Sequence, residues 1–207
     1  MTKWSYPSLL FLLLMATCGS LLLAAAAPPP APAAAVQTAP AQDDEELARM
    51  FKEDQADRAP AEKEGKRVDW SVVAKRDEAR LARVKELYAA NRLRTGADYY
   101  HAAMVLQHAQ VAEDFLLAHE LCVVAIGKGE ERAKWLAAAS QDRYLMNIGR
   151  PQRFGTQYRS NGPGTDWYLY ETDTGVTDEL RKAYNVPPLD KARERAAEIN
   201  RRMKPQS

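Results

Sequence analysis

The sequence lacks the short motifs that mark several large classes of enzyme. It contains no Gly-x-Ser-x-Gly of serine hydrolases, no Cys-x-x-Cys of thiol redox proteins and no Gly-x-Gly-x-x-Gly of dinucleotide-binding folds. With two cysteines in 207 residues, it cannot be a disulfide-rich scaffold. Its 29 lysines and arginines against 28 aspartates and glutamates leave no basic excess for coating nucleic acid. We therefore predict neither a cofactor nor a nucleic-acid partner.

The first 27 residues have the composition of a secretory signal. Lys3 precedes an apolar run, and the small residues Ala24–Ala27 end it. The run is about as long as the roughly 17–20 residues that cross a bilayer, so an uncleaved anchor stays open. Cys18 follows Met-Ala-Thr, which resembles a bacterial lipoprotein box, so lipidation is a third alternative. Each alternative predicts an exported protein that is periplasmic or secreted, with membrane contact only through this segment.

Composition divides the rest of the chain into three parts. Residues 28–42 hold five prolines and six alanines without a charge, which is typical of an extended linker. Residues 43–67 carry 15 charged residues of 25 and predict a connector and a short amphipathic helix over 43–58, ending before Pro60. The pattern leaves open whether this helix packs on the domain or frays. Residues 68–207 form the predicted α-helical domain.

Polar residues at helix starts (Asp69, Thr177 and Asp190), glycines at helix ends (Gly96 and Gly149 among them) and hydrophobic periodicity predict the helices of that domain. The predicted helices are 69–93, 98–110, 113–126, 130–147, 177–184 and 190–203. Two β-prone runs, 153–159 and 167–172, predict a hairpin or a pair of ordered loops. We expect a mainly α fold: an antiparallel helical bundle or hairpin stack with a small β-hairpin or loop excursion near the C-terminal third.

All three histidines lie within 19 residues, at His101, His108 and His119. His101 and His108 are seven residues apart and share a face of the predicted helix, while His119 belongs to the next helix. Imidazoles from adjacent helices could form a zinc-like site, although the spacing lacks the pair of His-Glu-x-x-His. Histidines in helical stripes are more often hydrogen-bonded core residues. We therefore expect no metal, and these three residues are the candidates if one binds.

Two carboxylates, Glu120 and Asp142, lie among apolar residues of predicted helices. Burying a carboxylate is costly unless it is paired or hydrogen-bonded. Arg143 is the predicted partner of one of them, because its guanidinium can bind a carboxylate through two parallel hydrogen bonds. Such a pair is either structural or part of a ligand pocket.

A polar loop follows at residues 149–157. Gly155 lets the backbone approach another surface closely, while Thr156 and Gln157 present a hydroxyl and an amide. The pattern fits a loop that packs on the helix ends, and it also fits a ligand-binding loop.

Several motifs of the chain match those of one known family. They are Glu53–Arg58, Asp98–Met104, Gln107-His108, Ala118–Leu121, Trp135–Ala138, Asp142–Leu145 and Pro151–Gln157. Together, over roughly residues 47–189, they resemble an uncharacterised bacterial family, the domain of unknown function 6624. The resemblance implies a bacterial protein and carries no established activity. It coincides with the polar positions Gln107, His108, Asp142, Arg143, Gln152 and Gln157.

Two functional hypotheses follow. The first is a non-catalytic, exported binding or interaction module of the cell envelope, whose partner is a protein or an envelope component. The second is a hydrolase-like enzyme or small-ligand binder with His101 or His108 as general base and Asp142 as its orienter. Its candidate ligand-binding residues are Gln107, Arg143, Gln152 and Gln157. The sequence does not decide whether the protein is an enzyme, and we favour the module because catalytic motifs are missing.

Overall fold

Seven helices and one hairpin make up the part of the chain that the structure, a computed structural model, describes: residues 41–63, 68–162 and 164–203. The helices are α1 (Glu45–Lys63), α2 (Trp70–Ala89), α3 (Gly96–Leu106), α4 (Ala112–Gly127), α5 (Ala133–Asn147), α6 (Asp178–Ala183) and α7 (Leu189–Met203). The strands are β1 (Tyr158–Ser160) and β2 (Trp167–Leu169). The fold is mainly α, as predicted. The predicted signal segment 1–27 and residues 28–40 of the predicted linker lie outside the described residues.

Side-chain caps fix the starts of three helices. The carboxylate of Asp69 accepts hydrogen bonds from two backbone N–H groups in the first turn of α2. Thr95 and Asp98 form a reciprocal capping box at the start of α3. Thr177 accepts a backbone hydrogen bond in the first turn of α6. The predicted caps Asp69 and Thr177 are therefore confirmed.

Residues in the left-handed conformation follow α2 and α5. Gly149, with φ 71°, follows α5 as predicted. Helix α2 was expected to reach Leu93 and to end at Gly96, and this was wrong. Asn91 turns the chain earlier with φ 54°, and Gly96 is the first residue of α3.

Helix α1 packs on the domain and does not fray. Its residues Leu47 and Met50 are buried in one core with residues of α3. The helix continues through Pro60 to Lys63, so the predicted end before Pro60 was wrong. Proline removes one backbone hydrogen bond, and packing of an apolar helix face can outweigh that loss.

Small residues let α3, α4 and α5 pack closely. The fully buried alanines of these helices are Ala102, Ala103, Ala118, Ala125, Ala133, Ala137, Ala138 and Ala139. Short turns join the three helices, so α3 and α4, and then α4 and α5, pack as antiparallel pairs. Cys122 lies in the same core, and burial raises the pKa of its thiol to about 12. The cysteine is therefore an apolar core residue.

The C-terminal part adds the hairpin and two helices. Strands β1 and β2 are antiparallel, with Arg159 opposite Tyr168. Helix α7 packs on β2, where the Asn200 side chain accepts from the backbone N–H of Trp167 at 2.6 Å and donates to its carbonyl at 2.8 Å. Asp190 lies in the first turn of α7 and is not its cap, because the helix begins at Leu189.

A search of residues 41–63, 68–162 and 164–203 for membrane spans finds no helix with the length and apolar character to cross a bilayer.

Candidate functional site

Asp142 is completely buried on α5 and binds the loop that follows this helix. Its Oδ1 accepts hydrogen bonds from the backbone N–H groups of Arg153 at 2.7 Å and Phe154 at 2.9 Å. Its Oδ2 accepts from the backbone N–H of Thr156 at 3.0 Å and from the hydroxyl of the same residue at 2.8 Å. Burial raises the pKa of Asp142, and these donors act in the opposite direction. Both oxygens are used within the fold, so neither is left to orient a histidine.

Two glutamines extend this arrangement. Gln152 Nε2 donates to the carbonyls of Gln157 at 3.0 Å and Tyr170 at 2.9 Å, and its Oε1 accepts the backbone N–H of Gln157 at 2.9 Å. Gln157 Nε2 donates to the hydroxyl of Thr156 at 2.9 Å. We call Asp142, Gln152, Thr156 and Gln157 the loop-anchoring cluster. The predicted ligand residues Gln152 and Gln157 are therefore engaged in holding the loop.

The same loop packs tightly against α6 and α7. Gly155 has φ 74°, and a Cβ at this position would lie 3.3 Å from Leu189 Cδ1 and 3.4 Å from Arg181 Nη1. The side chain of Arg181 is fully buried and donates to the carbonyl of Phe154. Close packing thus requires glycine here, which supports the interpretation of residues 149–157 as a loop that packs on helices.

The predicted ion pair between Asp142 and Arg143 is wrong. Successive residues of an α-helix point in directions about 100° apart, so Asp142 meets the loop while Arg143 meets the turn between α3 and α4. Arg143 Nη1 donates to the backbone carbonyl of Gln107 at 3.2 Å, and its guanidinium lies 6.0 Å from the ring centre of Phe115. The other predicted partner, Glu120, is exposed on α4.

Arg143 is poorly neutralised. Within the part of the chain that the structure describes, no carboxylate lies within ion-pair distance of its guanidinium, and its Nε is buried without a hydrogen-bond partner. Burial lowers the pKa of Arg143, and the nearby positive charge of Arg58 lowers it further. The side chain of Gln107 is also buried, and its Oε1 has no partner among the same residues.

Arg143 lines a groove of about 920 Å³ on the surface of α2 and the turn between α3 and α4. We call it the Arg143 groove. Its other lining residues include Arg58, Trp70, Leu81, Lys85, His108 and Val111. The side chains of Trp70 and Val111 are 60% and 48% exposed, so they give the groove apolar surface that a ligand can reach. The groove therefore combines apolar surface with several charged groups.

Ion pairs neutralise the other cations of the groove. Arg58 lies 2.9 Å from Asp54 and 2.6 Å from Asp77. Lys85 lies 2.7 Å from Asp114. Asp54 is fully buried and Asp77 is partly buried; the Arg58–Asp77 pair joins α1 to α2 in partly desolvated surroundings, and the Arg58–Asp54 pair lies within α1. Arg143 differs from both cations because it faces no carboxylate among the described residues.

His108 is the histidine that lines this groove. Helix α3 ends at Leu106, and His108 lies in the turn that follows. The prediction that His101 and His108 share a helix face was therefore wrong. Its Nε2 lies 3.4 Å from Asp54 Oδ2 without hydrogen-bond alignment. The carboxylate within ion-pair distance of His108 is therefore Asp54, and Asp142 has no contact of this kind.

The other two histidines have separate surroundings. His101 stacks on Phe51 with 4.5 Å between ring centres, and burial, with the positive charge of Arg132, lowers its pKa. His119 Nδ1 lies 2.8 Å from the carbonyl oxygen of Ala137. A search of the described residues found no group of three or more histidines, cysteines and acidic residues arranged to hold a metal.

Sequence reasoning missed most of the groove. The four-residue spacing of Asp54 and Arg58 on a predicted helix was a usable signal for their ion pair. The approach of Arg58 to Asp77 and of Lys85 to Asp114 had no signal, because these residues lie on different helices.

Comparison with known proteins adds no relative: no family model, no curated protein and no solved structure matches this chain.

Proposed function

We propose that this protein is a non-catalytic binding module that holds its ligand in the Arg143 groove. The observation that carries this proposal is the groove itself, since about 920 Å³ falls within the roughly 300–1,000 Å³ typical of ligand sites. Exposed Trp70 and Val111 beside charged side chains give it the mixed lining that such sites have. The fold uses both oxygens of Asp142, which removes support for a mechanism in which Asp142 orients a histidine.

The anionic, apolar dye 1-anilinonaphthalene-8-sulfonate tests whether the groove binds ligands. We expect its fluorescence to rise with the unmodified protein and to lose most of this rise with Val111→Glu, which puts a negative charge among the lining side chains. Val123→Glu is the matched control, because Val123 is 53% exposed on α4 and lies outside the groove lining. Equal fluorescence with both variants would contradict the proposal.

A hydrolase-like enzyme is the second candidate, and the approach of His108 to Asp54 is the observation that favours it. A histidine that lies next to a buried carboxylate at a groove is a candidate general base. The binding proposal expects 4-nitrophenyl acetate to be hydrolysed no faster by the unmodified protein than by His108→Gln. A rate that depends on both His108 and Asp54 would favour the enzyme instead.

Export to the bacterial cell envelope, with a protein or envelope component as partner, is the second part of the proposal. Its support is the composition of residues 1–27 and 28–42, and the bacterial origin rests on the resemblance to the domain of unknown function 6624. A fusion of residues 1–42 to alkaline phosphatase without its own signal should be active in a bacterium, because the enzyme is active only outside the cytoplasm. The mass of the mature chain would distinguish cleavage, lipidation at Cys18 and a retained anchor. An inactive fusion would contradict export.

A further inference from the structure

Among the described residues, no carboxylate pairs with Arg143, whereas Arg58 and Lys85 of the same groove each have a carboxylate partner. One backbone carbonyl, that of Gln107 at 3.2 Å, is the protein acceptor of its side chain. Arg143 is partly buried, with its Nε fully buried, and such a guanidinium normally binds a carboxylate or several carbonyl oxygens, because desolvating the charge costs free energy. Arg58 adds repulsion, since its own positive charge acts on Arg143. An anion from outside the protein would relieve both costs.

The charge balance of the groove selects the kind of anion. Arg58 is neutralised by Asp77 and Lys85 by Asp114, which leaves Arg143 and the exposed Glu78. A dianion such as a phosphate ester would lie near three carboxylates, those of Asp77, Glu78 and Asp114. Arg143 would be the one cation of the groove without a carboxylate partner of its own in the part of the chain that the structure describes. A carboxylate carries a single charge, and its two oxygens match the forked donors of a guanidinium.

The apolar surfaces of the groove select what the carboxylate is attached to. Trp70 and Leu81 on α2 face the groove, and Val111 borders it from the turn before α4. Charged pairs such as Lys85 and Asp114 interrupt these surfaces. An acyl chain needs continuous apolar lining, whereas a peptide alternates apolar side chains with polar backbone groups.

We propose that the Arg143 groove binds the C-terminal end of a peptide whose last side chains are apolar. Arg143 binds the terminal carboxylate, and Trp70, Leu81 and Val111 contact the apolar side chains. This inference rests on the proposed binding function and names the ligand class of the same groove.

Fluorescence anisotropy with a labelled hexapeptide tests it. The probe alternates alanine and leucine, carries fluorescein at its N-terminus and ends in leucine, either as the free acid or as the amide. We expect the acid to bind the unmodified protein at least tenfold more tightly than the amide, because a terminal carboxylate makes charge-assisted hydrogen bonds with a guanidinium and an amide does not. This comparison of two probes requires no substitution in the protein.

Two variants then identify the cation. Arg143→Met should bind acid and amide equally, whereas Arg150→Met should keep the preference, because Arg150 is exposed and lies outside the groove lining. Arg143→Lys keeps the charge without the fork and should retain part of the preference. Equal binding of acid and amide by the unmodified protein would overturn the proposal.

A second probe, labelled dodecanoate, tests the peptide ligand and the binding function independently. If labelled dodecanoate binds and the peptide acid does not, the peptide is wrong while the binding function stands. If neither binds and the dye responds equally to Val111→Glu and Val123→Glu, both proposals fall.

Discussion

Asp142 and Arg143 are adjacent on α5, yet the carboxylate of Asp142 accepts four hydrogen bonds while the guanidinium of Arg143 finds one carbonyl. The first residue belongs to the loop-anchoring cluster and the second to the Arg143 groove. Asp142 is fully buried and Arg143 is partly buried, and both belong to the same motif of the sequence. The two residues differ in their partners: the loop donates hydrogen bonds to both oxygens of Asp142, whereas Arg143 has one carbonyl acceptor among the described residues.

We expect the largest loss of stability from replacing Asp142, the residue of the pair whose carboxylate accepts four hydrogen bonds. Asp142→Ala leaves three buried backbone N–H groups and one hydroxyl without their acceptor, so we expect a loss of roughly 3–5 kcal/mol in the free energy of unfolding. Urea unfolding measures it. Asp190→Ala is the control, because Asp190 is 86% exposed and should change stability by less than about 0.5 kcal/mol. A loss below about 1 kcal/mol would show that water replaces the carboxylate.

Substitution of Gly155, in the loop that Asp142 holds, tests how tightly this loop is packed. Gly155→Ala forces φ 74° on a residue with a Cβ and brings that Cβ against Leu189 and Arg181, so we expect a loss of about 2 kcal/mol or more. Gly164→Ala has a similar φ of 78° but open space around its Cβ, so we expect a loss of about 1 kcal/mol. Thermal or urea unfolding of both variants separates the packing cost from the backbone cost. Equal losses would mean that the loop shifts to accept the methyl group.

His101 is also a buried polar residue, and because its pKa is lowered, we expect acid to decrease the free energy of unfolding. The folded protein binds the proton less tightly than the unfolded chain, so the free energy of unfolding should fall as the pH decreases below about 6.5 towards the pKa of folded His101. One proton limits the slope to about 1.4 kcal/mol per pH unit. His101→Phe keeps the ring stack on Phe51 and should remove this part of the pH dependence. An unchanged dependence, measured by urea unfolding from pH 7 to pH 5, would assign it to other groups.

We expect the smallest change in stability from replacing Arg143, the residue of the pair with a single hydrogen-bond acceptor in the described part of the chain. Arg143→Met removes a partly buried charge without separating an ion pair among the described residues, so the free energy of unfolding should change by less than about 1 kcal/mol in either direction. A loss as large as that of Asp142→Ala would make Arg143 a structural residue and would remove the contrast between the two regions.

Much of the fold could be predicted from the sequence, because local signals determine helix limits. Asp69, Thr177 and Gly149 act as predicted. The early end of α2 was missed, since asparagine is a weaker signal for the left-handed conformation than the glycine at 96. The fully buried alanines of α3 and α5 lie at positions where helices approach closely.

The candidate site was predicted only in part. His108 and Arg143 were singled out, and both line the groove. Gln152, Gln157 and Asp142 were singled out with them and hold a loop instead. A buried polar residue has the same appearance in sequence whether its partners come from its own loop or from a ligand.

The sequence by itself determined the mainly helical fold, the capped helix starts and the list of polar residues on apolar faces, because these depend on residues within a few positions of one another. Only the tertiary structure decided which residues meet. The pairing of Arg58 with Asp77 and of Lys85 with Asp114 depends on how α1, α2 and α4 cross, and these contacts leave Arg143 as the unbalanced charge of the groove. The physical reason is that charge balance in a groove depends on distances between side chains of different helices, and no local pattern encodes those distances.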